Sequence, residues 1–275
     1  MKNLFVRTIT GVIYVALIVG SILISKYTFV VLFGFILIYT LFEFYRLCKK
    51  GGNQPQMLLG IFISIYLFVA FFLFDMNMVG EVMFFGLVPL LMLIALIEMF
   101  RKNKNPVLNI AYTFLGIIYI AVPFSVLNFI VTPFDQYPRQ YMPEALLSLF
   151  IILWANDSGA YLFGSWLGKT KMIERISPKK TWEGAIGGAI TALVVSVVLF
   201  HYIGFISPVH AIILSLLTVV SGTLGDLTES MIKRSFNVKD SGGMLPGHGG
   251  LFDRFDSMLF AAPVYYIYIS LILNH

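Results

Sequence analysis

Charged residues are scarce in this chain. Asp, Glu, Lys and Arg make up 12% of its 275 residues, 59% of the residues are hydrophobic, and the mean hydropathy is +0.88. A soluble domain is typically about 25% charged and about 45–50% apolar. The shortage of charge therefore excludes an ordinary soluble domain and indicates an integral membrane protein, for which the bilayer is the main solvent.

Several other features are missing as well. Cys48 is the only cysteine, which excludes an intrachain disulfide and a zinc cluster built from cysteines. There is no GxxxxGK[ST] loop, which argues against a nucleotide-driven pump of the P-loop type. The basic segment Met1–Arg7 precedes an apolar run, as in a signal peptide, but no small-x-small cleavage site follows it. We therefore expect a retained first helix.

Nine apolar runs come close to the roughly 20 residues that a helix needs to cross a bilayer. The predicted spans are Ile9–Ile24, Thr28–Leu47, Met57–Phe74, Val82–Phe100, Val107–Val131, Glu144–Leu167, Gly184–Phe205, Val209–Leu227 and Ser257–Leu273. The predicted fold class is an all-α polytopic membrane protein with about nine transmembrane helices.

The basic residues predict the orientation of these helices. If the N-terminus is cytoplasmic, all of the 19 Lys and Arg residues except Lys26 and Arg139 fall in cytoplasmic regions, as the positive-inside rule requires. We therefore expect the N-terminus in the cytoplasm and the C-terminus outside. Topology then explains the net charge of +5 without nucleic-acid binding, and a basic inner face suits anionic lipid headgroups and nucleotides.

Polar residues are distributed unevenly between the two halves of the chain. We expect residues 1–131 to form an N-terminal transmembrane scaffold of about five helices. We expect residues 132–275 to form a C-terminal catalytic transmembrane region of about four helices, with cytoplasmic loops 168–182 and 230–256.

One stretch, Ser221–Asp256, holds five carboxylates, four fixed cations, one histidine and seven glycines. Asp226 and Glu229 are three residues apart at the end of the eighth span, and Asp253 and Asp256 are three apart at the start of the ninth. Residues at this spacing share a helix face, and carboxylate oxygens are the ligands that hard divalent cations need. The alternatives are a salt-bridged helix end at the first pair and an acid-capped helix at the second.

Glycines precede the ninth span. Gly249 and Gly250 enter a predicted helix N-terminus, where free backbone N–H groups can bind an anion. His248 lies among these glycines, so it is a candidate for contacting phosphate or shuttling a proton, although a lone histidine is more often structural. Zinc would need partner ligands that this loop does not offer.

Two features of the sixth span and the loop after it point to the same chemistry. Asp157 lies within the apolar span, where a carboxylate is costly unless it is paired or hydrated, so we expect it to face the protein interior; an interhelix polar lock is the alternative. Lys179 and Lys180 suit phosphate groups, although lysines in such loops are often topology signals only. Gly184 and Gly188 form a small-xxx-small pattern that predicts close helix packing.

Acids that can bind metal, cations that can bind phosphate and an adjoining apolar environment favour phosphoryl or nucleotidyl transfer to a lipid. Such chemistry depends on positioning, metal ions and charge neutralisation more than on a covalent nucleophile. A cation or organic-phosphate transporter is an alternative, because intramembrane acids such as Asp157 often mark ion paths. The chain shows no internal repeat of the kind that transporters commonly carry.

The run from Ser230 to Asp256 reads SMIKRSFNVKDSGGMLPGHGGLFDRFD. It resembles the signature of the phosphatidate cytidylyltransferase (CDP-diacylglycerol synthase) family and shows no departure from it. SPKKTWEG at Ser177–Gly184 and GDLTES before the signature also look like that family. CTP-dependent polyprenol kinases are more distant relatives in the same class, and a lipid kinase of that kind is the alternative function.

The resemblance implies that CTP and phosphatidic acid react to give CDP-diacylglycerol and pyrophosphate. It also implies that the enzyme uses Mg²⁺ and binds two of these ions. The metal ligands that it implies are Asp226, Asp253 and Asp256, with Asp157 and Asp240 as further candidates. The implied catalytic residues are Asp226, Asp253, Asp256, Lys233 and Arg254. The implied substrate-binding residues are Lys179, Lys180, Arg234, Lys239, His248, Gly249 and Gly250.

The same resemblance implies a location for the enzyme. It predicts a multi-pass protein of a bacterial cytoplasmic membrane with its active site facing the cytoplasm and the acyl chains of its substrate in the lipid bilayer. It is also compatible with a homodimer.

Overall fold

The apolar runs form long helices in a computed structural model, which describes residues 2–133, 140–244 and 249–273, with side chains from Thr8 onward. The α-helices of this part of the chain are α1 Lys2–Ile24, α2 Lys26–Lys50, α3 Met57–Asp75, α4 Val82–Phe85, α5 Leu87–Phe100, α6 Pro106–Gly116, α7 Val122–Ile130, α8 Pro143–Leu167, α9 Trp182–Ile203, α10 Pro208–Ser235 and α11 Phe252–Leu273. A π-helical turn, Ile117–Ala121, joins α6 to α7.

The all-α polytopic membrane class is confirmed. Eight helical segments of the described chain are long and apolar enough to cross a membrane, and α1 contains a shorter apolar stretch, Thr8–Ile24. The predicted fourth span is formed by α4 and α5 together, and the predicted fifth by α6, the π-helical turn and α7. The orientation derived from the charges stays a prediction.

Helices α10 and α11 extend beyond their predicted apolar spans into the stretch Ser221–Asp256. Helix α10 continues past Leu227 to Ser235, and α11 begins at Phe252 before the predicted start at Ser257. Hydropathy marks only the part of a helix that lies in lipid, whereas backbone hydrogen bonds carry a helix on into polar sequence. As a result, both acid pairs of the stretch Ser221–Asp256 lie on regular helix.

The residue contacts divide the chain into two compact units. The first contains Met1–Thr132 and Ser235–Phe255, and the second contains Pro133–Arg234 and Asp256–His275. The segment after α10 therefore groups with the N-terminal helices, and the boundary between the units falls within α11. The functional division into a scaffold and a catalytic region stays a prediction.

A buried polar cluster fixes helix ends in the first unit. The Glu98 carboxylate at the end of α5, which is 2% exposed, accepts hydrogen bonds from Gln56 Nε2 and Asn109 Nδ2, both at 2.8 Å. Arg101 Nη1 lies 2.7 Å from Glu98 Oε2. The carboxylate thus links the end of α5 to α6 and to the residue that precedes α3, and its buried charge is stabilised by three donors.

Helices α8 and α9 of the second unit pack at close range. A Cβ atom at Gly188 would lie 2.6 Å from the carbonyl oxygen of Asn156, and one at Gly184 would lie 2.9 Å from that of Ala160. Any larger residue would push the two backbones apart, so the predicted small-xxx-small packing is confirmed.

A short antiparallel hairpin joins these two helices and was not predicted. Its strands are β1 Lys171–Ile173 and β2 Ser177–Thr181. Thr181 then caps α9, because its Oγ1 accepts a hydrogen bond from Gly184 N at 3.2 Å. The segment SPKKTWEG is therefore a strand that leads directly into a capped helix.

Candidate active site

Three carboxylates of the second unit lie close together. Asp226 and Glu229 on α10 and Asp256 on α11 each offer one oxygen, and these oxygens lie within 4.8 Å of one another. Gly225 permits the approach of the two helices, because a Cβ atom there would lie 2.5 Å from the carbonyl oxygen of Asp256. The structure thus brings together two of the predicted metal ligands and adds Glu229 to them.

Each of these carboxylates has its own partner. Glu229 is 0% exposed and pairs with Lys233 Nζ at 2.7 Å, one turn along α10. Asp226 pairs with the ammonium group of Lys180 on β2. Asp256 Oδ1 accepts a hydrogen bond from Ser257 N at 2.6 Å. Cations therefore compensate part of the negative charge that three neighbouring carboxylates concentrate here.

The carboxylate cluster fits a divalent cation. Its donors are oxygens, which Mg²⁺ and Ca²⁺ prefer, and they come from two helices that the contact at Gly225 holds at a fixed spacing. Asp226, Glu229 and Asp256 are therefore the residues of the described chain that could hold a metal ion.

A cavity of about 400 Å³ opens beside Asp226 within the second unit. Asp157, Lys179 and Lys180 line it together with Asp226, so four of the predicted site residues share one cavity. Asn156 also lines it, and among the described residues its buried Oδ1 has no hydrogen-bond partner.

The cavity wall also has an apolar part. Ala160, Tyr161 and Met172 contribute to it, alongside the two lysines and two aspartates. Cationic groups can neutralise phosphate, and the apolar wall can contact hydrocarbon or a flat base. The arrangement therefore suits a molecule that has both a phosphate group and an apolar part.

Another predicted site residue, Arg234, also lies in the second unit. Its Nε donates a hydrogen bond to the carbonyl oxygen of Ile176 at 3.4 Å, which links the end of α10 to the residue before β2. Lys233 is engaged with Glu229. Both cations therefore stand at the end of α10, the helix that carries Asp226 and Glu229.

The remaining predicted site residues belong to the first unit or lie outside the described residues. Asp253 accepts hydrogen bonds from Ser241 N at 3.1 Å and from Gly250 N at 2.8 Å, so its carboxylate binds backbone N–H groups of the signature segment. Gly249 has a left-handed backbone with φ of +84°, a conformation that glycine adopts without strain. The side chains of Lys239, Asp240 and Arg254 are exposed, and His248 lies outside the described residues.

Sequence reasoning missed two acids. The three-residue spacing predicts that Glu229 is a neighbour of Asp226, but it does not identify Glu229 as a metal ligand. Glu43 is the second missed acid, and it lies alone in an apolar run. A carboxylate in such a run is costly unless a partner stabilises it, and that cost was the available signal.

Comparisons with known proteins agree with these observations. The model of the cytidylyltransferase family matches residues 5–272. A phosphatidate cytidylyltransferase of Bacillus subtilis is 35% identical over 98% of this chain and 99% of its own length. One of Haemophilus influenzae is 32% identical over 97% and 99%, and one of Staphylococcus haemolyticus is 33% identical over 94% and 96%. The chain therefore belongs to the cytidylyltransferase family.

Proposed function

We propose that this protein transfers the cytidylyl group of CTP to phosphatidic acid, giving CDP-diacylglycerol and pyrophosphate for phospholipid biosynthesis. The observation that carries the proposal is the cavity of the second unit, in which Lys179 and Lys180 stand beside Asp157 and Asp226. The similarity to phosphatidate cytidylyltransferases over nearly the whole chain supports the choice of substrates.

In the proposed reaction, a phosphate oxygen of phosphatidic acid attacks the α-phosphorus of CTP. A new P–O bond forms there, the bond from that phosphorus to the bridging oxygen breaks, and pyrophosphate leaves with the electron pair. Negative charge develops on the leaving group, so donors placed in advance around it lower the barrier. Lys179 and Lys180 are the cations that line the cavity for this purpose.

We propose that Asp226, Glu229 and Asp256 would hold Mg²⁺ and that two ions would bind. When bound, Mg²⁺ supplies charge neutralisation to phosphate oxygens. The pairing of Lys180 with Asp226 keeps the ammonium group at the cavity, where it can bind phosphate. Asp157 lines the same cavity and is a further candidate ligand.

The signature segment of the first unit is assigned by resemblance. Lys239, His248 and Arg254 are expected to contact phosphates, and Gly249 and Gly250 are expected to shape the nucleotide loop. Metal binding by Asp240 or Asp253 is a further expectation. These roles stay predictions.

The proposed enzyme works at a membrane surface. Because the basic residues cluster on one side of the predicted topology, we place the active site at the cytoplasmic face of a bacterial cytoplasmic membrane, where CTP is available. The acyl chains of phosphatidic acid stay in the bilayer while its phosphate reaches the cavity.

The test is an assay of the purified protein in mixed micelles with labelled CTP, phosphatidic acid and Mg²⁺. We expect CDP-diacylglycerol and pyrophosphate in equal amounts. With a polyprenol or diacylglycerol acceptor, a lipid kinase would release CDP instead. Absence of both CDP-diacylglycerol and pyrophosphate from folded protein would refute the proposal.

A further inference from the structure

Helix α2 of the first unit carries a buried acid, Glu43, for which the proposed reaction gives no role. Its side chain is 3% exposed. A carboxylate in such surroundings is costly unless donors stabilise it. The groups that donate hydrogen bonds to Glu43 therefore indicate what this carboxylate does.

The donors come from the signature segment. Glu43 Oε2 accepts a hydrogen bond from Phe252 N at 2.9 Å and one from Ser241 Oγ at 3.2 Å. Ser241 and Phe252 stand at the two ends of the later part of the loop between α10 and α11, since α10 already ends at Ser235 and α11 begins at Phe252. One carboxylate on α2 therefore ties the two ends of this loop together.

Two glycines of the loop pack directly against the same carboxylate. A Cβ atom at Gly242 would overlap Glu43 Oε1, and one at Gly250 would overlap Glu43 Oε2 and Ser241 Oγ. Gly243 is next in sequence to Gly242, yet a Cβ atom there would meet nothing within 4 Å. Glycine is therefore required at the positions that contact Glu43, and not at every glycine of the loop.

Asp253 binds the same loop ends from α11, through Ser241 N and Gly250 N. Glu43 takes the Ser241 hydroxyl and the Phe252 N–H group, so the two acids use different donors of the same short segments. Together they fix both the spacing and the rotation of the loop ends.

We propose that Glu43 is a positioning residue: from α2 it holds the two ends of the loop 241–252, and thereby sets the geometry of Gly249, Gly250 and Asp253. This inference rests on the proposed function, in which that loop contacts CTP. A displacement of about 1 Å in such a site can cost roughly a hundredfold in rate.

The first test compares Glu43→Leu with Glu43→Gln. Leucine keeps much of the volume but accepts no hydrogen bond, and we expect its kcat/KM for CTP to fall by roughly a hundredfold, with a higher KM for CTP and an unchanged KM for phosphatidic acid. Glutamine keeps an acceptor oxygen for both donors. We therefore expect its kcat/KM for CTP to stay within about threefold of the wild-type value, a change that corresponds to less than about 1 kcal/mol.

Kinetics separate positioning from folding. A purely structural defect lowers the amount of active enzyme, and hence the apparent kcat, without changing the KM for CTP. An unchanged KM for CTP in Glu43→Leu would therefore overturn the inference. Glutamine as impaired as leucine would also overturn it, because hydrogen-bond acceptance would then not be the relevant property.

A second pair of variants leaves Glu43 in place. We expect Gly242→Ala to raise the KM for CTP, because its methyl group displaces the loop from the carboxylate, and we expect the matched control Gly243→Ala to behave as the wild type. Equal behaviour of the two alanine variants would overturn the inference. Wild-type protein without cytidylyltransferase activity would instead refute the proposed function.

Discussion

Gly225 offers a test of the carboxylate cluster that leaves every carboxylate in place. In Gly225→Ala, the new methyl group would lie 2.5 Å from the carbonyl oxygen of Asp256 and 3.2 Å from Phe260 Cβ. The first obstacle is backbone and cannot rotate away. Restoring ordinary contact of about 3.4 Å requires α10 and α11 to separate by about 0.9 Å at this point.

A separation of this size is large for a metal site. Mg²⁺ demands near-ideal octahedral geometry with ligands at about 2.0–2.1 Å, and Asp226 and Asp256 stand on the two helices that move apart. We expect the turnover of Gly225→Ala to fall by roughly a hundredfold. We also expect the Mg²⁺ concentration for half-maximal activity to rise by at least about tenfold, as second-sphere changes typically do.

The assay is the rate of CDP-diacylglycerol formation at saturating CTP and phosphatidic acid, titrated with Mg²⁺. Gly222→Ala is the matched control, one turn earlier on α10. Its methyl group would meet Leu153 Cδ2 at 2.7 Å, the end of a flexible side chain that can rotate away. We expect this control to keep the wild-type dependence on Mg²⁺.

The thermal midpoint in detergent identifies folded variants. Overpacking typically costs about 1–3 kcal/mol, so Gly225→Ala should still fold. A folded Gly225→Ala protein with wild-type turnover and wild-type Mg²⁺ dependence would refute the assignment of a metal site between α10 and α11.

Three further predictions concern single side chains. Asp256→Asn, and separately Asp253→Asn, should each lower turnover by at least about 10²-fold while folding is retained; near-normal CDP-diacylglycerol synthesis in both would contradict their metal roles. Lys180→Met should lower kcat/KM for CTP by at least about tenfold, because a charge-assisted contact of about 1.5–3 kcal/mol is lost, and unchanged kinetics would exclude the lysine from phosphate binding. Glu98→Ala should destabilise the protein by at least about 2 kcal/mol, because buried donors lose their acceptor; denaturation measures this, and the KM for CTP of the folded fraction should not change.

The membrane helices were predictable because the bilayer imposes a length and a polarity on each of them. The same reasoning fails where a helix leaves the lipid. The extension of α10 to Ser235 and the earlier start of α11 at Phe252 depend on hydrogen bonds in polar sequence, which hydropathy does not report. The hairpin at 171–181 is similarly hidden, since strands of three and five residues are too short to show a clear periodic pattern.

Parts of the site were predictable to different degrees. Spacing placed Glu229 beside Asp226, because both stand on one helix. The grouping of Asp157 with Lys179 and Lys180 followed from chemistry, and the structure places them in one cavity. The approach of Asp256 to Asp226 depends on the packing of α10 against α11 at Gly225, and no local pattern specifies which face of one helix meets the other.

Acids within apolar runs could have been identified more completely from the sequence if one rule had been applied to all of them. The rule that an intramembrane carboxylate needs a partner singles out Asp157, and in the first five spans it singles out Glu43 and Glu98 with equal force. The sequence cannot separate these two, because each is one acid in an apolar helix. The structure separates them by their partners: Glu98 binds Gln56 and Asn109 within the helical scaffold, whereas Glu43 binds residues 198 and 209 positions away in the signature segment. A buried acid whose partners are structural stabilises the fold. One whose partners belong to a proposed nucleotide loop transmits the position of its helix to that loop, so the N-terminal helices contribute to the geometry of the loop as well as to membrane insertion.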